Sequence, residues 1–241
     1  RVLLTPRAAS DPFSRRSSVE AVQAALYDAF PIRQCTTRLS AKRPSGSCVL
    51  GELGRCCAPC QLAISTEQYG ELVDRLRASL TSDIRPVLRA ARGRLTGLIA
   101  HQRFEDAAVV TDRLSSFARS ALRHHRVASL AGCPQIVAAY RDRGGWQIHV
   151  VRYGRLAGAA RARPGDVPQA VARAAVAAAE QVSPPLGPQP AATTEETERI
   201  AAWLERPGVR LIEIEGQWSW PLHIGLGDGE LAQHALGTAQ V

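Results

Sequence analysis

Apolar residues fall at helical spacing through the first half of the chain and in short alternating runs through the second. Val19, Val22, Ala25, Leu26 and Phe30 form one stripe, with Ser17 and Glu20 placed as a capping box and Pro31 as a stop, which predicts a helix over 17–30. Ser65 and Gln68 make a second capping box ahead of Tyr69, Leu72, Val73, Leu76 and Leu80. Residues 83–99 continue as helix, with Pro86 tolerated in a first turn. Phe104, Ala107, Ala108, Leu114, Phe117 and Leu122 share one side of a further helix, so 95–100 and 104–122 make a helical hairpin turning near His101 and Gln102. His124 and His125 are adjacent, point in different directions and read as a solvated helix end.

After Pro134 the period drops to two. Residues 136–141, 146–152 and 156–163 read as strands, with a hairpin turn over 142–145. Trp146, Ile148 and Val150 fall on one face and Gln147, His149 and Val151 on the other, which makes His149 a half-exposed strand residue and not a catalyst. Asp166 and Pro168 start an alanine-rich helix that runs to about Val182, and 183–192 form a proline-rich, semi-extended linker. Thr193 and Glu196 cap another helix through Leu204, Pro207 and Gly208 end it, and 209–215 form a strand. Trp218 and Trp220 are placed at a sheet edge or surface, and the glycine-rich tail after Gly225 reads as loose.

Between the first two helices the apolar pattern fails and cysteine replaces it. Five of the six cysteines lie within 35–60, and Cys35, Cys48, Cys56 and Cys60 give the spacing C-x12-C-x7-C-x3-C, with Cys57 as a fifth thiol. Four thiolates that close satisfy either a tetrahedral zinc or a cubane iron–sulfur cluster. Cys57 and Cys60 also form a C-x2-C knuckle suited to zinc, so spacing alone leaves the metal open. Pro44, Gly46, Gly51, Gly54 and Pro59 leave this loop too few apolar residues to fold alone. Metal binding supplies what is missing, on the order of 10 kcal/mol or more for structural zinc. Free thiols or disulfides are the plainer reading, but disulfides belong to oxidising compartments, and neither a dispersed cysteine framework nor a secretory leader is visible.

Charge sharpens the picture. The formal net charge is +8, and it is uneven: 9 Arg/Lys stand against 4 Asp/Glu in 1–60, 11 against 7 in 61–130, and 10 against 11 in 131–241. A basic half joined to a neutral half points to a polyanion at the first 130 residues, although Lys42 is the only lysine and an arginine-rich composition contributes to the excess. Met is absent, so Arg1 reads as the start of a fragment or a processed product. No apolar run reaches the roughly 18 residues a membrane span needs. Catalytic signatures are missing too: there is no phosphate loop with its lysine, no G-x-S-x-G and no H-E-x-x-H. Glu195, Glu196 and Glu198 sit at a helix start, where the helix dipole favours acids, and Glu213 with Glu215 lacks a third carboxylate.

The order of these pieces resembles the middle of UvrC, the incision nuclease of bacterial nucleotide excision repair. SRRSSVEAVQAALYDAFPIRQC followed by CVLGELGRCCAPC resembles the stretch after its GIY-YIG nuclease domain, a helix, then F-P-x-R-x-C, then C-x7-C-x3-C. RFEDAAVVTDRL resembles the UVR motif, a helical hairpin that pairs with a like hairpin of UvrB, and about 132–216, with VVRYGRLAGAAR, resembles the segment ahead of the RNase-H-like domain. The resemblance covers roughly 200 residues in collinear order. It implies a 4Fe–4S cluster on Cys35, Cys48, Cys56 and Cys60, with zinc as the alternative. Three positions depart from the family: Gly51 stands where an aromatic is usual, Cys57 replaces a non-ligand residue, and Thr111 replaces an arginine of the UVR motif. The resemblance implies that the GIY-YIG catalytic residues would lie before Arg1, and nothing resembling the RNase-H-like carboxylates appears in this sequence. Relatives in high-GC bacteria fuse a DEDD exonuclease to a GIY-YIG and UvrC-like half, and a parent of that kind fits this arginine- and alanine-rich chain.

The expectation is therefore an α+β chain: a helical cysteine-cluster region and a UVR helical hairpin, followed by a small antiparallel-sheet α/β domain. Its divisions are 1–62, 63–130, 131–224 and a flexible tail over 225–241. The expected role is non-catalytic, within a cytoplasmic DNA-repair nuclease. Arg33, Arg38, Lys42, Arg43 and Arg55 would contact DNA phosphates, and Phe104, Glu105, Ala107, Ala108, Asp112 and Leu114 would dock a UvrB-like protein. The rival is a zinc-stabilised protein-interaction scaffold with no DNA role; an autonomous hydrolase is the third and weakest reading.

Overall fold

Helical caps and the switch of apolar period both take effect in the computed structural model, which describes residues 16–187 and 189–219. The elements run α1 (Arg16–Ala29), α2 (Val49–Glu52), α3 (Thr66–Thr81), α4 (Arg85–Ala100), α5 (Phe104–Ala131), β1 (Gln135–Asp142), β2 (Gly145–Arg152), β3 (Arg155–Ala162), α6 (Pro168–Ala178), α7 (Thr194–Leu204) and β4 (Val209–Glu215). This is an α+β chain. The Ser17 side chain, Trp220 and the tail after Gly225 lie outside the described residues. Among the described residues no helix is long and apolar enough to cross a membrane.

Residues 16–122 form one compact unit and 123–219 a second. In the first, the apolar residues of four helices close on each other: Val22 and Leu26 of α1 with Phe30 just after it, Leu72 and Leu76 of α3, Val87, Leu88 and Ala91 of α4, and Val110, Leu114 and Phe117 of α5. Each large side chain sealed in this way contributes about 2 kcal/mol. The Ser65 capping box forms in full, with Gln68 N donating to Ser65 Oγ at 3.2 Å and Ser65 N donating to Gln68 Oε1 at 3.0 Å. Pro86 sits in the first turn of α4, where its missing N–H removes no intrahelical bond.

The turn between α4 and α5 is a Schellman motif. Arg103 N donates to Leu98 O and Gln102 N to Ile99 O, each at 2.9 Å, and Gln102 takes φ 58°. Glycine is the usual residue there because a Cβ in the left-handed region costs about 1 kcal/mol or more. Gln102→Gly is expected to stabilise the first unit by about 1 kcal/mol, read as a rise of about 5 °C in its thermal midpoint. A lowered midpoint would mean that the Gln102 side chain, not its backbone, holds the turn.

In the second unit the four strands are all antiparallel, in the order β3-β2-β1-β4. Gly145 closes the β1–β2 hairpin at φ 118°, and a Cβ there would lie 2.0 Å from Ala162 O, so only glycine fits. Val137, Ala139, Ile148 and Val150 pack under Ala172 of α6 and Ala179 on one face. Ile136, Ala138 and Val151 pack under Ile200, Ala201 and Leu204 of α7, with Leu130 from the end of α5, on the other. Coverage of both faces explains why β1 is apolar without alternation. His149 stacks on Trp203 of α7 with ring centroids 4.1 Å apart, and burial pulls its basicity down.

Three expectations change. α5 does not end at Leu122: it continues to Ala131, because Leu130 and Ala131 are buried and Arg123 and Arg126 pair with Glu198 and Glu205. His124 and His125 are thus interior to the helix and half-buried; burial, then the neighbouring His125, lowers the basicity of His124. α6 stops at Ala178, short of Val182, as Ala179 turns extended, Glu180 N donates to Ala157 O at 2.8 Å and Arg152 Nη1 donates to the carbonyl of Glu180 at 2.8 Å. Trp218, expected at a sheet edge or surface, is half-buried and packs against the Leu130 and Ile200 core.

Candidate metal centre

The loop that carries the cysteines is tied down at three places: to Pro31 after α1, across itself, and to α3. Cys57 N donates to Pro31 O at 2.7 Å, Ser45 N to Cys60 O at 2.7 Å, and Arg33 N to Tyr69 Oη of α3 at 3.3 Å. Between the pins, Cys48 caps α2, and Cys56 and Cys60 bracket the turn into a short 3-10 segment, Pro59–Gln61. Ala58 and Leu62, on either side of that segment, both take left-handed backbone at φ 48° and 58°, a conformation non-glycine residues adopt only when the surroundings impose it.

All six cysteines are free thiols. Burial pushes the Cys56 thiol up; a backbone hydrogen bond with Ala58 opposes this, and negative charge on Cys48, Cys35 and Cys60 raises it further. The three neighbours that act on Cys56 are therefore the other three members of the expected set. Cys57 behaves differently: burial raises it first, then Cys56 and Cys60, and its side chain packs against the apolar core of the first unit. Cys35 is exposed and accepts a hydrogen bond from Arg33 Nε at 3.2 Å, which holds its thiol below the ordinary value. Cys48 is also exposed. Among the described residues no three His, Cys, Asp or Glu side chains stand in the arrangement of a formed metal centre. The donor chemistry nonetheless fits a four-thiolate group: one buried anchor, Cys56, with three further thiols placed to act on it and Cys57 committed to the core.

The basic residues of the loop divide into two classes. Arg38, Lys42 and Arg43 are exposed, the last two with their backbone N–H groups held by Ser40 Oγ at 3.3 and 3.1 Å. Arg33 is half-buried beside Cys35, and Arg55 pairs with Asp28 at 3.1 Å. Asp28 is a hub that sequence reading missed. Its carboxylate, only 9 % exposed, also pairs with Arg94 of α4 and with Arg113 of α5 at 3.1 Å. A second missed feature lies on α4, which carries four arginines and no acid. Arg85, Arg89 and Arg92 are exposed and fall within about 60° of one another at 100° per residue, a pattern legible in the sequence had charge been read by helix face.

The expected docking residues also separate. Ala107 and Leu114 are buried in the core and face no partner, whereas Phe104, Glu105, Ala108 and Asp112 are exposed on the opposite side of α5. Phe104 is 63 % exposed, and Ile99 and Val109 nearby are 54 % and 47 % exposed, so the hairpin tip keeps apolar surface in water.

Residues 5–79 match the model of the UvrC/Cho excinuclease middle domain. Over 207 residues the chain is 34 % identical to a Mycobacterium tuberculosis (strain CDC 1551 / Oshkosh) protein named as a bifunctional exonuclease/endonuclease, covering 84 % of this chain and 32 % of that protein. It is 29 % identical over 151 residues to UvrABC system protein C of Geotalea daltonii, covering 61 % of this chain and 24 % of that protein. The same protein of Corynebacterium jeikeium is 30 % identical over 151 residues, 61 % of this chain and 22 % of its own length. The chain thus spans about a third or less of these relatives, and no solved structure matches it. With its cysteine loop inside the matched domain and relatives that extend the match beyond it, the chain belongs to the UvrC-like family and represents its middle region.

Proposed function

We propose that this region positions DNA and docks a partner for a UvrC-like excision-repair nuclease, and does not itself cut. The observation that carries the reading is the loop. It carries the four thiols Cys35, Cys48, Cys56 and Cys60, of which Cys56 is buried, it is tied to a helical core through Tyr69 of α3, and Arg38, Lys42 and Arg43 of the same loop are exposed to solvent. Cys35, Cys48, Cys56 and Cys60 would hold a 4Fe–4S cluster, whose iron–thiolate bonds would cross-link a loop that has few apolar contacts of its own. The exposed cations then meet phosphates from a fixed frame, which gives position and salt dependence without sequence choice. The arginine face of α4 adds to the same basic unit. For the partner, the exposed side of α5 (Phe104, Glu105, Ala108 and Asp112) replaces the larger expected set, and a UvrB-like helical hairpin is the occupant the family resemblance supplies.

The test is binding to a DNA duplex or fork across a salt series, with metal content measured on the same preparation. Affinity is expected to fall linearly in log salt, and Lys42→Ala with Arg43→Ala is expected to lower that slope by about 2 while leaving base preference unchanged. No binding at low salt by a chain with an intact metal would favour the zinc scaffold and overturn the DNA role.

A further inference from the structure

Arg33 does not behave as the other loop cations do. Arg38, Lys42 and Arg43 are exposed, as a phosphate contact requires, whereas Arg33 is half-buried and its main chain is tied to Tyr69 of α3 at 3.3 Å. Its Nε donates to the Sγ of the exposed Cys35 at 3.2 Å. Its Nη2 is buried and has no hydrogen-bond partner among the described residues. A buried guanidinium N–H without an acceptor is costly, so an orphan of this kind calls for one. The neighbourhood is that of Cys35, the first member of the four-thiol set.

We propose that Arg33 is a positioning residue of the cluster and not a phosphate contact, giving Nε to the Cys35 thiolate and leaving Nη2 for a sulfur acceptor of the bound group. The inference rests on the iron–sulfur reading above. A guanidinium cannot lose its proton at physiological pH, so the donor and its positive charge are permanent. Hydrogen bonds to cluster sulfurs and local charge are among the levers that set a cluster's potential. A fixed cation beside the first ligand favours the more negative, reduced form and thus raises the potential.

The experiment uses the whole chain purified anaerobically as wild type, Arg33→Gln, Arg33→Lys and, as a control, Arg38→Gln. Iron and sulfide content, the reduction midpoint by redox titration, the rate of bleaching in air and the salt slope of duplex binding are measured on each. Arg33→Gln is expected to lower the midpoint by about 59 mV, a tenfold change in a one-electron equilibrium, and to bleach several-fold faster with an unchanged salt slope. Arg33→Lys, which keeps the charge but not the fork, is expected to lie between wild type and Arg33→Gln. Arg38→Gln should lower the salt slope and leave midpoint and bleaching alone. Should Arg33→Gln fail to accumulate, the Lys variant decides by the same readouts. Iron and sulfide present, with midpoint and bleaching unmoved at position 33, overturns this inference alone. Zinc or no metal in the wild type overturns the iron–sulfur reading and the inference with it.

Discussion

Cys56→Ser is expected to abolish visible absorption and cut iron to a small fraction of the wild-type content, while Cys57→Ser keeps both. The two thiols are neighbours in the chain, and C-x3-C and C-x2-C are both workable ligand spacings to Cys60. Their surroundings differ. Cys56 is the thiol on which Cys35, Cys48 and Cys60 all act, while Cys57 is fixed through its N–H to Pro31 O and packs into the helical core. Serine is a poor soft-metal ligand, so loss of Cys56 removes the buried anchor of the set. Because loop folding and metal binding are one equilibrium, on the order of 10 kcal/mol for a structural site, the loop should become protease-sensitive. The helical unit should survive, since its core draws on α1, α3, α4 and α5 and not on the cluster. Iron analysis, sulfide analysis and limited proteolysis of anaerobic protein check this. The reverse result, bleaching by Cys57→Ser alone, would move the ligand set to the C-x2-C knuckle.

How far such residues could be read from the sequence depended on how local their causes are. The stripes over α1 and α3, the helices α4 and α5, the Ser65 and Thr193 caps and the hairpin at Asp142–Gly145 are set by neighbours within a few residues, and they were legible. The ends of α5 and α6 were not. Residues 123–126 look polar and finished, yet Arg123 and Arg126 find their acids on α7 and at its C-terminal cap, 75 and 79 residues later. Residues 179–182 carry no stop signal; the stop comes from Ala157 O and Arg152 across the fold. The candidate site follows the same rule. Cysteine spacing is a local signal, but the bond from Arg33 to Cys35 and the burial of its Nη2 exist only in the folded loop. On α5, periodicity placed Phe104, Ala107, Ala108 and Leu114 on one side, whereas packing buries Ala107 and Leu114 and leaves Phe104 and Ala108 in water.

Asp28 is the least legible of all and carries the second large expected effect: Asp28→Ala should destabilise the helical unit by about 3 kcal/mol, read as a lowered urea midpoint with an unchanged slope. The residue sits unremarked in an amphipathic helix, and its three arginines arrive 27, 66 and 85 residues later, from the cysteine loop, α4 and α5. Its carboxylate is 9 % exposed, while the arginines are 43, 41 and 32 % exposed, so water screens the cations but not the acid. Removing the acid leaves three guanidiniums facing each other, and the cost is their mutual repulsion and lost hydrogen bonds, moderated by that screening. Asp28→Asn keeps the shape and should recover only the smaller, neutral part of the hydrogen bonding. A cycle of Asp28→Asn with Arg113→Gln, the least exposed partner, should return part of the loss, because each change relieves what the other leaves unpaired. The same substitution separates stability from function. It removes one negative charge from the basic unit and frees Arg55, so duplex affinity at low salt should hold or rise even as the fold weakens. Stability and affinity falling together would instead make Asp28 the residue that aims the loop, with Arg55 needing its partner in order to present the cluster side of the unit to DNA.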